Sequence, residues 1–115
     1  MTIRRVDAGS RMSQLVAANG LAFISGQVAD DRNGTLQEQA ASILSNIDRL
    51  LAEVGSSKSK LLKVDVYLAA VIDFDAFNVV YDKWIDPACP PARVCSEARL
   101  ADSRIKVEIA AVAQL

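Results

Sequence analysis

The chain contains no histidine. That absence removes Ser–His and Cys–His nucleophile pairs, histidine general bases and most zinc sites. Any catalysis falls to carboxylates, thiol, hydroxyls, arginine, backbone groups and water. Aromatic residues make up only 5% of the chain, too few for a base-stacking platform. Neither sign of charge dominates: 13 basic residues against 14 acidic ones leave a formal net charge of −1, which lacks the basic balance of a nucleic-acid binder. The two cysteines, Cys89 and Cys95, have no CxxC spacing and read as reduced thiols. No apolar run approaches a membrane span and the N-terminal stretch has no signal-peptide apolar core, so the expected compartment is the cytoplasm. Phosphate-loop, dinucleotide and metal-ligand motifs are missing as well.

What is present is the profile of one folded domain spanning residues 1–115, with 51% apolar residues. A domain of this size hides only about two-thirds of the surface its unfolded chain exposes. The positive mean hydropathy therefore points to apolar surface shared between copies.

The pattern predicts an α+β fold. Asn19-Gly20 between the apolar runs 14–18 and 21–28 reads as a type I′ hairpin, because both central positions need positive φ. Arg32-Asn33-Gly34 reads as a loop. Thr35 to Val54 is the clearest helix. Leu36, Ala40, Ile43, Leu44, Ile47, Leu50, Leu51 and Val54 form one stripe, Thr35 and Glu38 fit a capping box, and Gly55 fits the stop. Asp48, Arg49 and Glu53 fall on its solvated side. Lys58, Lys60 and Lys63 read as a solvated connection. Residues 62–70 alternate as a half-buried strand, with Val64, Val66 and Leu68 on one face and Asp65 and Tyr67 on the other. Asp73 is placed to cap a second helix to about Ile85, with Phe74, Phe77, Tyr81 and Trp84 on its buried side. Pro87, Pro90 and Pro91 end it and lead into a strand over 92–100. A short turn at 101–103 then leads to a last strand over 105–113. Two helices cannot cover both faces of such a sheet, so both are expected on one face. The other face is left for a partner subunit or a ligand.

The last two strands carry the candidate chemistry. Arg93 and Cys95, two apart on a strand, point to one side. If the turn after them makes a hairpin, Glu108 comes alongside. An arginine fork suits a planar carboxylate, and a glutamate can hold or deprotonate a water. With no histidine to activate it, Cys95 is not expected to act as a nucleophile. Taken alone, the same residues also fit a cross-strand Arg93–Glu108 ion pair and a small core cysteine. Ser25-Gly26-Gln27 fits a strand end with a glycine bulge. Asn78, an amide among Phe77, Tyr81 and Trp84, needs a partner if buried.

These residues resemble a known family. Pro91-Ala92-Arg93-Val94-Cys95, then Arg99-Leu100, then Lys106-Val107-Glu108-Ile109 are similar to the C-terminal signature of the Rid family, the reactive intermediate deaminases or YjgF-like proteins. Ser25-Gly26-Gln27, the first helix with Ile47, Leu50 and Gly55, and Phe77-Asn78 followed by Tyr81 fit the same pattern in order. The resemblance implies a mixed sheet with two helices on one face, like bacillus-type chorismate mutase. It also implies a homotrimer with clefts between subunits that bind small imino or 2-oxo acids. It implies hydrolysis of reactive enamines and imines to 2-oxo acids and ammonia without a cofactor. Carried over, Arg93 clamps the carboxylate, Glu108 positions water, Cys95 lines the cleft, and Ser25 and Asn78 shape it. Met12 stands where the well-studied deaminases carry a ligand-contacting tyrosine. Arg11-Met12-Ser13-Gln14 resembles the YoaB-like branch, which puts an apolar wall at that point and favours larger imino acids. A non-catalytic carboxylate-binding regulatory module is the alternative. RNA cleavage, attributed to some relatives, conflicts with the near-neutral charge and the missing histidine.

Overall fold

A computed structural model describes residues 2–115. The expected hairpin forms between β2 (Leu15–Ala18) and β3 (Leu21–Gln27), with Ala18 opposite Leu21. Asn19 and Gly20 both take positive φ, 54° and 77°, as a type I′ turn requires. A three-residue strand, β1 (Arg4–Val6), adds antiparallel to β2. Its short, arginine-rich segment carries no alternation that a sequence reading could use.

Helix α1 (Leu36–Glu53) starts at the capping box. The Glu38 N–H donates to Thr35 Oγ1 at 3.1 Å, and the Thr35 N–H donates to Glu38 Oε1 at 2.9 Å. Gly55 ends it at φ 73°, where a side chain would be strained. The stripe buries as expected, with one addition: Gln39 lies among the apolar residues at 1% exposure.

A 3-10 turn at Lys58–Lys60 leads into β4 (Leu61–Leu68), and another at Val71–Asp73 leads into α2 (Phe74–Trp84). Asp73 holds the N-cap position, but its side chain accepts no capping bond. Phe77 and Tyr81 are buried and Trp84 half-buried, whereas Phe74 is exposed, against expectation. Asp48 is not merely solvated: it accepts a hydrogen bond from Trp84 Nε1 at 2.9 Å, linking α1 to α2.

The C-terminal strands depart furthest from expectation. β5 (Ala92–Glu97) and β6 (Val107–Gln114) do not form a hairpin. β5 runs parallel to β4, while β6 inserts antiparallel between β3 and β4, giving the order β1-β2-β3-β6-β4-β5. The reason is burial. β6 buries Val107, Ile109, Ala111 and Ala113, while no residue of β5 is buried. The apolar strand takes the centre and the polar one the edge. The segment after β5 crosses the end of β4, held by Ala98 N–H to the Leu68 carbonyl at 2.9 Å and Ala69 N–H to the Lys106 carbonyl at 3.0 Å.

Both helices cover one face of this mixed sheet. Leu15, Ile24, Val64, Val66 and Ile109 are buried with the α1 stripe and Phe77 in one core. The opposite face carries Phe23 and Val94, 46% and 45% exposed, with Tyr67 and Glu108 between them. Among the described residues no helix is long and apolar enough to cross a membrane.

Candidate functional site

The sheet divides the candidate residues into two groups on opposite faces. Arg93 pairs in register with Val64, and Cys95 with Val66, both of them core residues. Arg93 and Cys95 therefore point to the helix side. Glu108 pairs with Tyr67, whose neighbours Val66 and Leu68 point into the core, so Glu108 points to the open face. β4 also separates β5 from β6, which puts about 10 Å between those strands. Within one chain Glu108 does not come alongside Arg93 and Cys95, and the cross-strand ion pair is ruled out with it. The expected hairpin fails because nine residues, 98–106, separate the two strands, enough to step over β4.

The first group lies at the β5 edge. The Arg93 guanidinium stands 4.7 Å from the ring centre of Tyr81, 5.9 Å from Phe77 and 6.0 Å from Phe74. None of the ion pairs among the described residues includes it. With Asn78, Tyr81, Pro90 and Pro91 it lines a depression of about 360 Å³. The prolines stiffen this rim because their rings fix φ. Cys95 packs half-buried against the core. Burial pushes its thiol pKa up, and the Arg93 charge only partly opposes this. A neutral thiol is a poor nucleophile. Burial likewise raises the Tyr81 hydroxyl pKa, again opposed by Arg93.

The second group lies where β3 ends. The β3–β6 register slips between Ile24 and Gln27, the expected bulge. The Glu108 side chain lies over Gly26: a Cβ there would meet Glu108 Oε2 and sit 2.9 Å from Cδ. Only glycine leaves room for the carboxylate. Ser25 Oγ donates to the Ser13 carbonyl at 2.6 Å, and the Ser25 N–H donates to the Gln14 carbonyl at 2.9 Å. Ser25 thus holds the segment that carries Met12, which is 43% exposed. Met12 and Gly26 line one polar depression of about 530 Å³ together with Arg32 and Arg49.

Tyr81, expected on the buried side of α2 and within the Phe77-Asn78 motif but given no role at the site, faces Arg93. The signal was present in the 74–77–81 aromatic spacing before Pro90-Pro91-Ala92-Arg93. The Gly26–Glu108 contact had no local signal, since it depends on strand order.

A model of the family described as endoribonuclease L-PSP matches residues 2–115. The chain belongs to this family, the Rid or YjgF-like proteins. It is 40% identical over 116 residues to a RutC family protein of Haemophilus influenzae, covering 98% of each chain. It is 37% identical to the RutC family protein YoaB of Escherichia coli over 113 residues, again covering 98% of each. A crystal structure of a YjgF family member from Neisseria meningitidis superposes at a TM-score of 0.95 with 43% identity, covering 99% of this chain and 95% of that one. The resemblance read from the motifs, including the YoaB-like branch, is thereby borne out, and so is the mixed sheet with two helices on one face.

Proposed function

We propose that this Rid-family protein is a homotrimer that hydrolyses imines and enamines of amino acids in clefts between subunits. The observation that carries this reading is Arg93: a guanidinium cradled by aromatic rings at an exposed edge, with no carboxylate partner among the described residues. Such a fork binds a substrate carboxylate through two parallel hydrogen bonds. Apolar surface on the open face, Phe23 and Val94 among it, supports assembly through that face. A neighbouring copy would then bring its Glu108, with Gly26, Ser25 and Met12, to the Arg93 of the first.

In that cleft the imine carbon adjoins the carboxylate held by Arg93. Glu108 orients a water and takes its proton as oxygen adds to carbon. The C–N bond then breaks with protonation of nitrogen, giving a 2-oxo acid and ammonia. The imine is already electrophilic, so orientation and one placed base suffice. Cys95 lines the cleft through its backbone, and Met12 forms an apolar wall that favours larger side chains.

The test generates imines in situ with an L-amino-acid oxidase, in competition with semicarbazide trapping. Wild type should deplete the trapped imine. Arg93→Ala should lose about a hundredfold or more in kcat/KM, the worth of two hydrogen bonds to a charged group. Mixing unfolded-and-refolded Arg93→Ala and Glu108→Ala chains should restore partial activity, since mixed trimers contain some intact clefts. No recovery in verified mixed trimers would refute the shared cleft. The separation of Arg93 from Glu108 within one chain favours one other reading, a carboxylate-binding regulatory module. Under it, Glu108→Ala would leave every property intact.

A further inference from the structure

Two buried oxygens on one side of α2, Asn78 Oδ1 and Tyr81 Oη, have no partner at full hydrogen-bond distance among the described residues, although Arg93 lies close enough to the Tyr81 hydroxyl to oppose the rise in its pKa. They lie three residues apart, one helical turn, and both side chains line the depression that holds Arg93. Buried polar oxygens are nearly always paired. Two unpaired ones at the same spot therefore point to a donor that arrives in another state of the site. The other side chains lining the depression, Asp82, Ile85, Pro90 and Pro91, offer no such donor when Asp82 is ionised, and proline has no backbone N–H. Arg93 has five N–H donors and no carboxylate partner. Its guanidinium carbon already stands 4.7 Å from the centre of the Tyr81 ring, so a small side-chain rotation brings an N–H to that residue's hydroxyl.

Resting on the carboxylate-binding role proposed above, we propose that Asn78 and Tyr81 are positioning residues. Their oxygens accept the inward N–H groups of Arg93 once its outer edge takes up a carboxylate, and so they fix the plane of the fork. Asn78 then acts on Arg93 rather than on substrate, and Tyr81 joins the site through its hydroxyl as well as its ring. The arrangement links pairing inside the pocket to pairing outside it. The bound anion holds one edge of the guanidinium still, and the two oxygens hold the other. A neutral ligand makes no such demand on Arg93, so the two residues raise the preference for an acid over its uncharged counterpart.

The test measures calorimetric binding of 2-oxobutanoate and of its neutral carboxamide to wild type, Arg93→Ala, Asn78→Leu and Tyr81→Phe. Native mass and thermal midpoint are checked for each. Tyr81→Phe keeps the ring and its packing volume, so it keeps the test decisive if Asn78→Leu fails to fold. Expected is a wild-type preference for the acid, abolished in Arg93→Ala. Each of the other variants should weaken acid binding about tenfold while carboxamide binding is unchanged. A role in packing alone would weaken both ligands together or neither. If Tyr81→Phe and Asn78→Leu bind the acid like wild type while Arg93→Ala does not, the positioning role is wrong and the carboxylate site stands. If Arg93→Ala also binds like wild type, the carboxylate site falls and the positioning role goes with it.

Discussion

Gln39 and Arg93 are both polar side chains set against apolar helix surface, and they treat their hydrogen bonds in opposite ways. Gln39 is 1% exposed and fully engaged. The two N–H groups of its amide are shared among the carbonyls of Arg32 at 3.2 Å, Gly34 at 3.0 Å and Arg104 at 2.9 Å, and its Oε1 accepts from the Lys106 N–H at 2.9 Å. One residue of α1 thus ties down the loop before the helix and the loop before β6. Around Arg93 the guanidinium has no carboxylate, and Asn78 and Tyr81 each keep a buried oxygen unpaired. A region whose hydrogen bonds close on themselves can only hold the fold. A region that leaves them open can recognise something.

The contrast breaks if Gln39 turns out dispensable. Gln39→Leu keeps the volume but strands the Lys106 N–H and the carbonyls it served. A loss of about 2–4 kcal/mol in unfolding free energy is expected by urea titration. Turnover per folded molecule should be retained, because none of the hydrogen bonds of Gln39 goes to Ser25, Asn78, Arg93, Cys95 or Glu108. A loss below about 0.5 kcal/mol, the usual scale of neutral surface changes, would mean that the clamp is redundant. Loss of turnover at unchanged stability would put Gln39 in the wrong region.

The same contrast explains what could be read in advance. The Asn19-Gly20 hairpin and α1 with its Thr35–Glu38 box were legible because each is decided by residues within one turn of each other. Arg93 and Cys95 sharing a face was legible for the same reason, as period-2 alternation. The place of Glu108 was not. It depends on whether β6 pairs with β5 or inserts beside β4, a competition decided by how much apolar surface each strand buries. Both strands alternate, and only the count of buried positions separates them. Gln39 was invisible for a related reason. Its four partners lie at 32, 34, 104 and 106, and nothing near position 39 announces that the last two arrive there.

Gly26 sharpens the comparison from the Glu108 side. A methyl group there would sit against the carboxylate, 2.9 Å from Glu108 Cδ, and that end of the side chain is free to swing away. Gly26→Ala should therefore cost little stability, within about 1 kcal/mol. It should displace the carboxylate from the proposed water and lower kcat about tenfold, because small misplacements of a catalytic group are expensive. The KM for the imine, set by Arg93, should hold steady. Equal kcat in Gly26→Ala and wild type would show that the Glu108 carboxylate has no fixed place in the reaction.

The smallest effect is expected at Cys95, which separates the two regions by chemistry instead of geometry. Burial raises its thiol pKa and Arg93 only partly offsets this, so the thiol is neutral at physiological pH. Cys95→Ala should change kcat/KM by less than about threefold, the scale of lost packing without lost chemistry. The sign of the pH effect follows from the same shift. A thiol whose pKa is raised on folding binds its proton more tightly in the native state, so its contribution to stability is present below the ordinary thiol value. That contribution fades as pH climbs through the raised one. Tyr81 is shifted in the same direction by its own burial. Unfolding free energy followed upward from about pH 8, near the unperturbed thiol value, should therefore fall, and Cys95→Ala should remove the earlier part of that fall. An activity that instead rose with thiol ionisation and vanished in Cys95→Ala would make Cys95 a nucleophile. The chemistry would then sit wholly on the Arg93 side of the sheet, with no need of a second subunit's Glu108.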